Sequence, residues 1–463
     1  MKKIYKNSIY NVIYRVTNLI FPLITASYVA RILLPEGVGY FSYINTNVSY
    51  FVALASLGLP VYGVREIAKA KNNRDKLNQT YTELFIVNIL FTLFSCIIYL
   101  LFVSMIFNIE DLAFYLICGI QVILNAINID WMYQGYEDYS HIAKRNIIIK
   151  ILFFILIILL IKNRNDLFIY AIISVLVTFI QYIYSIICVR KIVSFKFDNI
   201  SLKNHLRPIL VLGVTVIFAT IYNKIDITML GILKNDAEVG IYTNAHKCIE
   251  LITILCASIT GVYLPTLSKS YTNDKKEFNS ILEKGFDIVC FLAIPAACGI
   301  FIVAPEVMRI LFGTRFINGY TTIRCFVPII IIRSLGDLFC YQTLIAIGKE
   351  DKRVFANIIT TIINITLNII LIPKLGKNGA AIASVLSELF INTYLFVYIK
   401  KTINLKLKYK SLFVSIISTA IMSFICYLII GLQIVNPVIN VVICIMVSVA
   451  VYFLSYYLFN KCV

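Results

Sequence analysis

Six basic residues interrupt otherwise apolar runs of this chain: Arg15, Lys150, Lys224, Lys247, Arg324 and Arg333. Four acids lie in the same runs: Asp226, Glu250, Asp287 and Asp337. Charge at membrane depth costs several kcal/mol and almost always faces a bundle interior or a watery cavity. Cations gathered in such a place suit an anion. Acids there are candidates for carrying H+ or Na+, provided that burial lifts a carboxyl pKa toward neutrality. Lys247 and Glu250 are i,i+3, and Arg333 and Asp337 are i,i+4, so each pair can meet on one helix face. Read that way, the pairs are structural staples. Lys224 and Asp226 are two apart and diverge by ~200° on a helix, so they need different partners. Arg15 lies some eight residues into its run, ~12 Å deep at 1.5 Å per residue, too deep for a comfortable interface anchor. Lys150 sits near an inner end and can snorkel. Arg324 sits near an outer end.

Polar residues recur in these runs at helical spacing. Asn7, Asn11, Arg15, Asn18, Pro22 and Thr25 advance by three or four, as do Ser42, Asn45 and Ser49. Asn357, Thr361, Asn364 and Asn368 do the same, and so do Ser174, Thr178, Gln181 and Ser185. Such spacing puts each set on one face. Asn11, Asn18, Asn45 and Asn364 are therefore candidates to line a polar cavity. Helix–helix packing is the alternative, since small and polar residues also join membrane helices.

The elements that must carry these residues follow from composition. Sixty percent of the 463 residues are hydrophobic and 14% are charged. Ordinary soluble domains are ~45–50% apolar and ~25% charged, so water is excluded as the main solvent. Fourteen runs are long enough to span a bilayer, at about 8–30, 39–62, 81–107, 112–134, 146–161, 167–189, 208–232, 239–264, 285–304, 322–346, 354–372, 379–399, 411–431 and 437–459. Continuously apolar runs such as 147–161 exclude a β-barrel, whose strands alternate. The expectation is an all-α polytopic membrane protein with about 14 transmembrane helices. No cleavable signal peptide is expected, because the first apolar run is too long and lacks a small-residue cleavage site. Trp131 reads as an interfacial anchor, and the Leu34–Gly37 and Pro305–Glu306 segments read as outer turns.

The strongly basic balance, 42 Lys and Arg against 24 Asp and Glu, resolves under this topology. With the N-terminus inside, 28 basic residues fall on the inner side, 8 outside and 6 within spans. This is the positive-inside bias, and it puts both termini in the cytoplasm. Topology, rather than nucleic-acid binding, then explains the charge; no aromatic–basic RNA motif is present. Most of the twelve cysteines lie in apolar runs, where they act as small hydrophobes. No cofactor or metal site is expected.

Parts of the chain repeat. Gly135–Asp138 corresponds to Gly348–Asp351, Lys144–Arg145 to Lys352–Arg353, and Arg190–Lys191 to Lys400–Lys401, at offsets near 210. Two six-helix halves entering from the same side are expected, at 1–200 and 201–402, with 403–463 adding two helices. Parallel repeats of this kind place a substrate near the midplane where the halves meet.

Several runs resemble polysaccharide repeat-unit flippases of the Wzx type: Arg31–Gly39 (RILLPEGVG), Gly63–Lys69 (GVREIAK), Asp130–Glu137 (DWMYQGYE) followed by Arg145–Asn146, and Asp226–Gly231 (DITMLG) with Val239–Tyr242 and Lys247. A last one extends from Asn364–Asn368 (NITLN) through Ile372–Pro373 and Gly376–Ala381 to Glu388. The resemblance covers about residues 1–400 and extends to the superfamily that holds MurJ-type and multidrug MATE exporters. It implies two six-helix lobes in a V that open alternately to each side, and a cargo of oligosaccharide on undecaprenyl pyrophosphate. It implies a bacterial inner-membrane protein serving O-antigen or capsule assembly, beside other polysaccharide-assembly membrane proteins. Cavity cations are implied on the first, second, seventh and eighth helices, which Arg15, Lys224 and Lys247 match at helix level; Arg324 and Arg333 join the candidate set by their depth.

Two transport alternatives stay open: a lipid II flippase and a multidrug exporter. Cation-coupled multidrug members carry an acid in the first helix, and this chain has none there. A membrane polymerase or glycosyltransferase is a third class, but its large catalytic outer loop is missing from the pattern. No P-loop occurs, so ATP is not the direct driver.

Overall fold

The computed structural model describes the chain except at Met1, Phe107, Asn199, Glu350, residues 404–406, residues 433–435 and Val463; side chains are described from Ile20 onward, apart from Thr272, Val354, Leu432 and Cys462. Every regular element among the described residues is a helix. The chain divides into two compact units, Met1–Thr228 and Met229–Val463.

The first unit begins with α1 (Lys2–Ser56), α2 (Leu59–Ala70), α3 (Arg74–Val103) and α4 (Ile109–Leu124). It continues with α5 (Asp130–Gly135), α6 (Tyr139–Leu160) and α7 (Leu167–Val189), and ends inside α8 (Lys203–Leu233). At 1.5 Å per residue, a straight α1 would be ~80 Å long against a hydrocarbon core of ~30 Å, so it must make two crossings. The break is at Leu34, with φ 57° and ψ 178°, inside the expected outer turn. A second left-handed residue, Leu57 (φ 43°), separates the crossing from α2, where Arg65 and Lys69 pair with Glu66. The sequence run 39–62 thus ends earlier than expected, at Ser56.

The core of this unit gathers Tyr81, Leu84, Ile129, Trp131, Met132 and Tyr133 under α2. Trp131 is only 4% exposed and its indole N–H donates to Asn128 O at 3.1 Å. It is a core residue, and the interfacial reading is corrected: the non-helical turn at Asn128 supplies the acceptor that an interfacial indole would seek from water.

The second unit holds α9 (Asp236–Thr260), α10 (Leu264–Asn273), α11 (Lys275–Phe312), α12 (Gly319–Phe326), α13 (Pro328–Gly336) and α14 (Thr343–Ala346). It ends with α15 (Asp351–Leu375), α16 (Lys377–Ile403), α17 (Lys410–Leu432) and α18 (Pro437–Cys462). A π-helical turn, Asp337–Gln342, joins α13 to α14. α11 runs straight through Pro295 and Pro305, so the Pro305–Glu306 turn is corrected; the helix stops seven residues later, at Gly313 (φ 92°). Helix-interior prolines are tolerated in membrane helices where neighbours re-satisfy the freed carbonyls.

Among the described residues, eleven helical segments are long and apolar enough to cross a membrane. Three features separate eleven from the fourteen apolar runs. One of the eleven, Ile20–Ala70, contains the Leu34 break. α6 carries Lys144, Arg145 and Lys150 close together, and the run 322–346 is cut into short helices around the π turn. The protein is a multi-pass membrane protein.

Candidate functional site

The second crossing of α1 supplies the polar side chains of the first unit. Asn45 accepts from Gln121 Nε2 at 3.0 Å. Asn47 donates to the Tyr115 hydroxyl at 2.7 Å and accepts from Thr228 Oγ1 at 3.3 Å. The Tyr50 and Thr228 hydroxyls are 2.9 Å apart. Two residues before Thr228 lies Asp226, only 6% exposed, and Lys224 is half-buried on the same helix. Tyr115, Asn47, Thr228 and Tyr50 thus form a connected polar chain that reaches α8, two residues from a buried acid. Arg15, Asn11 and Asn18 have side chains outside the described residues.

A second buried cluster in this unit was not among the candidates. Arg145 on α6 donates to both carboxylate oxygens of Asp130, to Asn146 Oδ1 and to Ser185 Oγ. Nearby, Tyr62, His205 and Glu83 form a line, with the Tyr62 hydroxyl 2.9 Å from Nδ1 and Glu83 Oε2 2.8 Å from Nε2. Side chains of α3 also hold the segment between α7 and α8. Asn78 Oδ1 accepts from Ser194 N, Thr82 Oγ1 from Lys196 N, and Glu83 Oε1 from Ser201 N, at 2.9–3.0 Å.

In the second unit, α9 and α13 bring cations together. Lys247 donates to Asn244 Oδ1 at 3.1 Å, and His246 faces Glu250 at 4.0 Å. Lys247 lies on α9 and Arg333 on α13, which pack against each other. For Arg333 the expected same-helix partner is corrected. Arg333 pairs with Glu388 of α16 at 2.7 Å, and Asn392 Nδ2 donates to the other oxygen of that carboxylate at 3.1 Å. Asp337 accepts from Thr260 at 2.5 Å and from Gln342 at 2.9 Å. The physical reason is competition from other side chains: Asp337 stays one α-helical turn from Arg333, its N–H bonded to Arg333 O, but Glu388 holds the guanidinium while Thr260 and Gln342 hold the carboxylate.

Three candidates stand apart from these cations. Arg324 donates to Phe301 O at 3.1 Å, and its guanidinium lies 4.9 Å from the ring centres of both Phe301 and Tyr320. Asp287 accepts from Ser411. Asn364 is fully buried and accepts from Asn368 at 3.1 Å. Arg353, the repeat counterpart of Arg145, lies 3.9 Å over the Tyr341 ring, within electrostatic reach of Asp337 and Glu388. The matching Lys-Arg pairs were the available signal for both arginines.

Beside the charged part of α9 lies an apolar groove of about 480 Å³. It is walled by Ile252 and Cys256 of α9, Phe291 and Ile300 of α11, Met422 of α17 and Tyr452 of α18.

A family model described as polysaccharide biosynthesis protein matches residues 4–271, more than half of the chain. The chain belongs to this family. It is 20% identical to the putative O-antigen transporter of Escherichia coli K12, over 85% of this chain and 96% of that protein. It is 28% identical to the probable low-salt glycan biosynthesis flippase Agl15 of Haloferax volcanii, over 40% of each chain, so it spans less than half of that relative's length. Among solved structures, the inward closed lipid II flippase MurJ superposes with TM-score 0.78 at 16% identity, covering 98% of this chain and 99% of that one. An inward-facing multidrug MATE transporter gives 0.66 at 16% identity, covering 85% and 98%. This family member therefore has the fold shared by those transporters.

Proposed function

We propose that the protein is a flippase that moves undecaprenyl-pyrophosphate-linked oligosaccharide repeat units from the cytoplasmic to the outer leaflet, by alternating access, for surface polysaccharide assembly. Family membership carries this reading. The arrangement of the second unit supports it: Lys247 and Arg333 suit a pyrophosphate, and the apolar groove of about 480 Å³ suits part of a polyprenyl chain. Arg15, Lys224 and Arg324 are proposed as further cations along the path. Asp226, Glu250, Asp287 and Asp337 are proposed carriers of a coupling H+ or Na+, with Asn11, Asn18, Asn45 and Asn364 lining the path. The host is a bacterial cytoplasmic membrane, with both termini inside.

The test is transfer of a fluorescent undecaprenyl-pyrophosphate oligosaccharide across reconstituted vesicles, with lipid II as the comparison cargo. Arg15→Gln, Lys224→Gln and Lys247→Gln should each abolish transfer while leaving membrane abundance intact. Wild-type transfer by all three removes the cation path. A change in glycan length without transbilayer movement would instead indicate a polymerase or transferase.

A further inference from the structure

α11 carries Glu306 and Arg309 one turn apart, at the end that the charge bias places outside the membrane. Residues three apart on a helix can pair. These two form no ion pair among those of the described residues. Glu306 Oε2 is buried with no hydrogen-bond partner, whereas Arg309 is exposed. Between them and the α17–α18 hairpin lies a cavity of about 280 Å³. Pro305, Ile317, Ile430, Pro437, Asn440 and Val441 complete its walls.

A buried carboxylate oxygen without a donor is costly, and buried polar atoms are otherwise almost always satisfied. This cavity therefore suits a hydrogen-bond donor, and a cationic one best. The exposed guanidinium on the next turn suits an anion, and phosphate above others. Ile430 and Val441 offer apolar contact between the two. The volume is at the small end for ligand cavities, too small for a glycan repeat unit. An ammonium and a phosphate joined by a short carbon link, presented at a membrane boundary, are the head group of an aminophospholipid.

We infer that the Glu306–Arg309 cavity binds a zwitterionic phospholipid bearing a primary amine, with the ammonium on Glu306 and the phosphate on Arg309. The site lies between three of the helices that also wall the apolar groove, and its test reads lipid retention, which does not depend on cargo transfer. A trimethylated ammonium keeps the charge but has no N–H to give Oε2, and a glycerol head group has no cation.

The full-length protein, purified in detergent with equal amounts of dioleoyl phosphatidylethanolamine, phosphatidylcholine and phosphatidylglycerol, is assayed for retained lipid by native mass spectrometry. Phosphatidylethanolamine should be retained roughly tenfold or more over phosphatidylcholine, the lower end for one hydrogen bond to a charged group. Glu306→Gln should erase that preference, and Arg309→Ala should lower retention of phosphatidylethanolamine. Equal retention by the wild type, or an undiminished preference in Glu306→Gln, overturns the inference. If Glu306→Gln does not purify as a monodisperse protein, the exposed Arg309→Ala decides, and unchanged retention there overturns it.

Discussion

Arg145 and Asp130 form a two-point ion pair inside the first unit, with Nη1 2.6 Å from Oδ1 and Nη2 3.0 Å from Oδ2. The guanidinium is fully enclosed, while the carboxylate keeps 26% of its side-chain surface. Asn146 and Ser185 take further N–H groups, so the buried cation is well satisfied. Removing one partner of such a pair typically costs 3–5 kcal/mol, because the other charge stays buried. Asp130→Ala should therefore lower the melting temperature in detergent and the folded yield. Arg145→Lys should not rescue, since an ammonium cannot make the two-point contact. Wild-type thermal stability of both variants would contradict this.

Neutralising Arg333 and Glu388 together should hurt folding less than neutralising either alone. The single variants Arg333→Gln and Glu388→Gln each strand a charge on a pair now joined at 2.7 Å. The double variant strands none and should regain at least half of the lost abundance in fluorescence size-exclusion profiles. Transfer of cargo should stay low in Arg333→Gln and in the double variant alike. Full recovery of transfer in the double variant would assign Arg333 to structure alone.

Two glycine substitutions should diverge. A Cβ at Gly119 would overlap the Tyr99 ring, which is buried and whose hydroxyl is bonded to Tyr115 O. Gly119→Ala should cost about 1–3 kcal/mol through overpacking. A Cβ at Gly299, in the middle of α11, meets nothing. Gly299→Ala should be neutral or gain up to about 1 kcal/mol. Thermal unfolding of the two variants in one detergent checks the contrast.

The clip on the 194–201 segment should open one amide at a time. Asn78→Ala should speed hydrogen exchange at Ser194 by roughly tenfold, the value of about one net hydrogen bond, and leave Ser201 protected. Glu83→Ala should do the reverse and also release His205. Uniform acceleration along the segment in either variant would show that the bonds do not act separately.

Much of the helical layout was legible in the sequence because a bilayer imposes a minimum apolar length, and thirteen of the runs recur as described helices or pairs of them. The exceptions have local causes. Leu34 and Leu57 adopt left-handed φ without being glycine, which hydropathy cannot show. Pro305 looked like a terminator, yet α11 extends beyond it. At the candidate site, charge at depth singled out Lys247 and Arg333, which lie on the packed helices α9 and α13, but same-helix spacing gave Arg333 the partner Asp337 where Glu388 is bonded. Glu388 and Asn392 are contributed by another helix, and helix-to-helix distances are not written in spacing along one of them. The Gly135–Asp138 and Gly348–Asp351 segments each contain a left-handed residue, at non-equivalent positions: Glu137 (φ 64°) and Gly348 (φ 67°).

The segment between α7 and α8 is gripped by α3 through three main-chain amides, beside side-chain contacts at Phe195 and Lys196. Asn78 and Thr82 are four apart on a helix, ~6.0 Å along its axis. The amides they hold, on Ser194 and Lys196, are two apart, which in extended chain is ~6.6 Å. The two pitches are commensurate, so α3 works as a ruler for this stretch of main chain. Its length is fixed to the residue, and a one-residue deletion between Ser194 and Lys196 would carry one of the two amides off its acceptor.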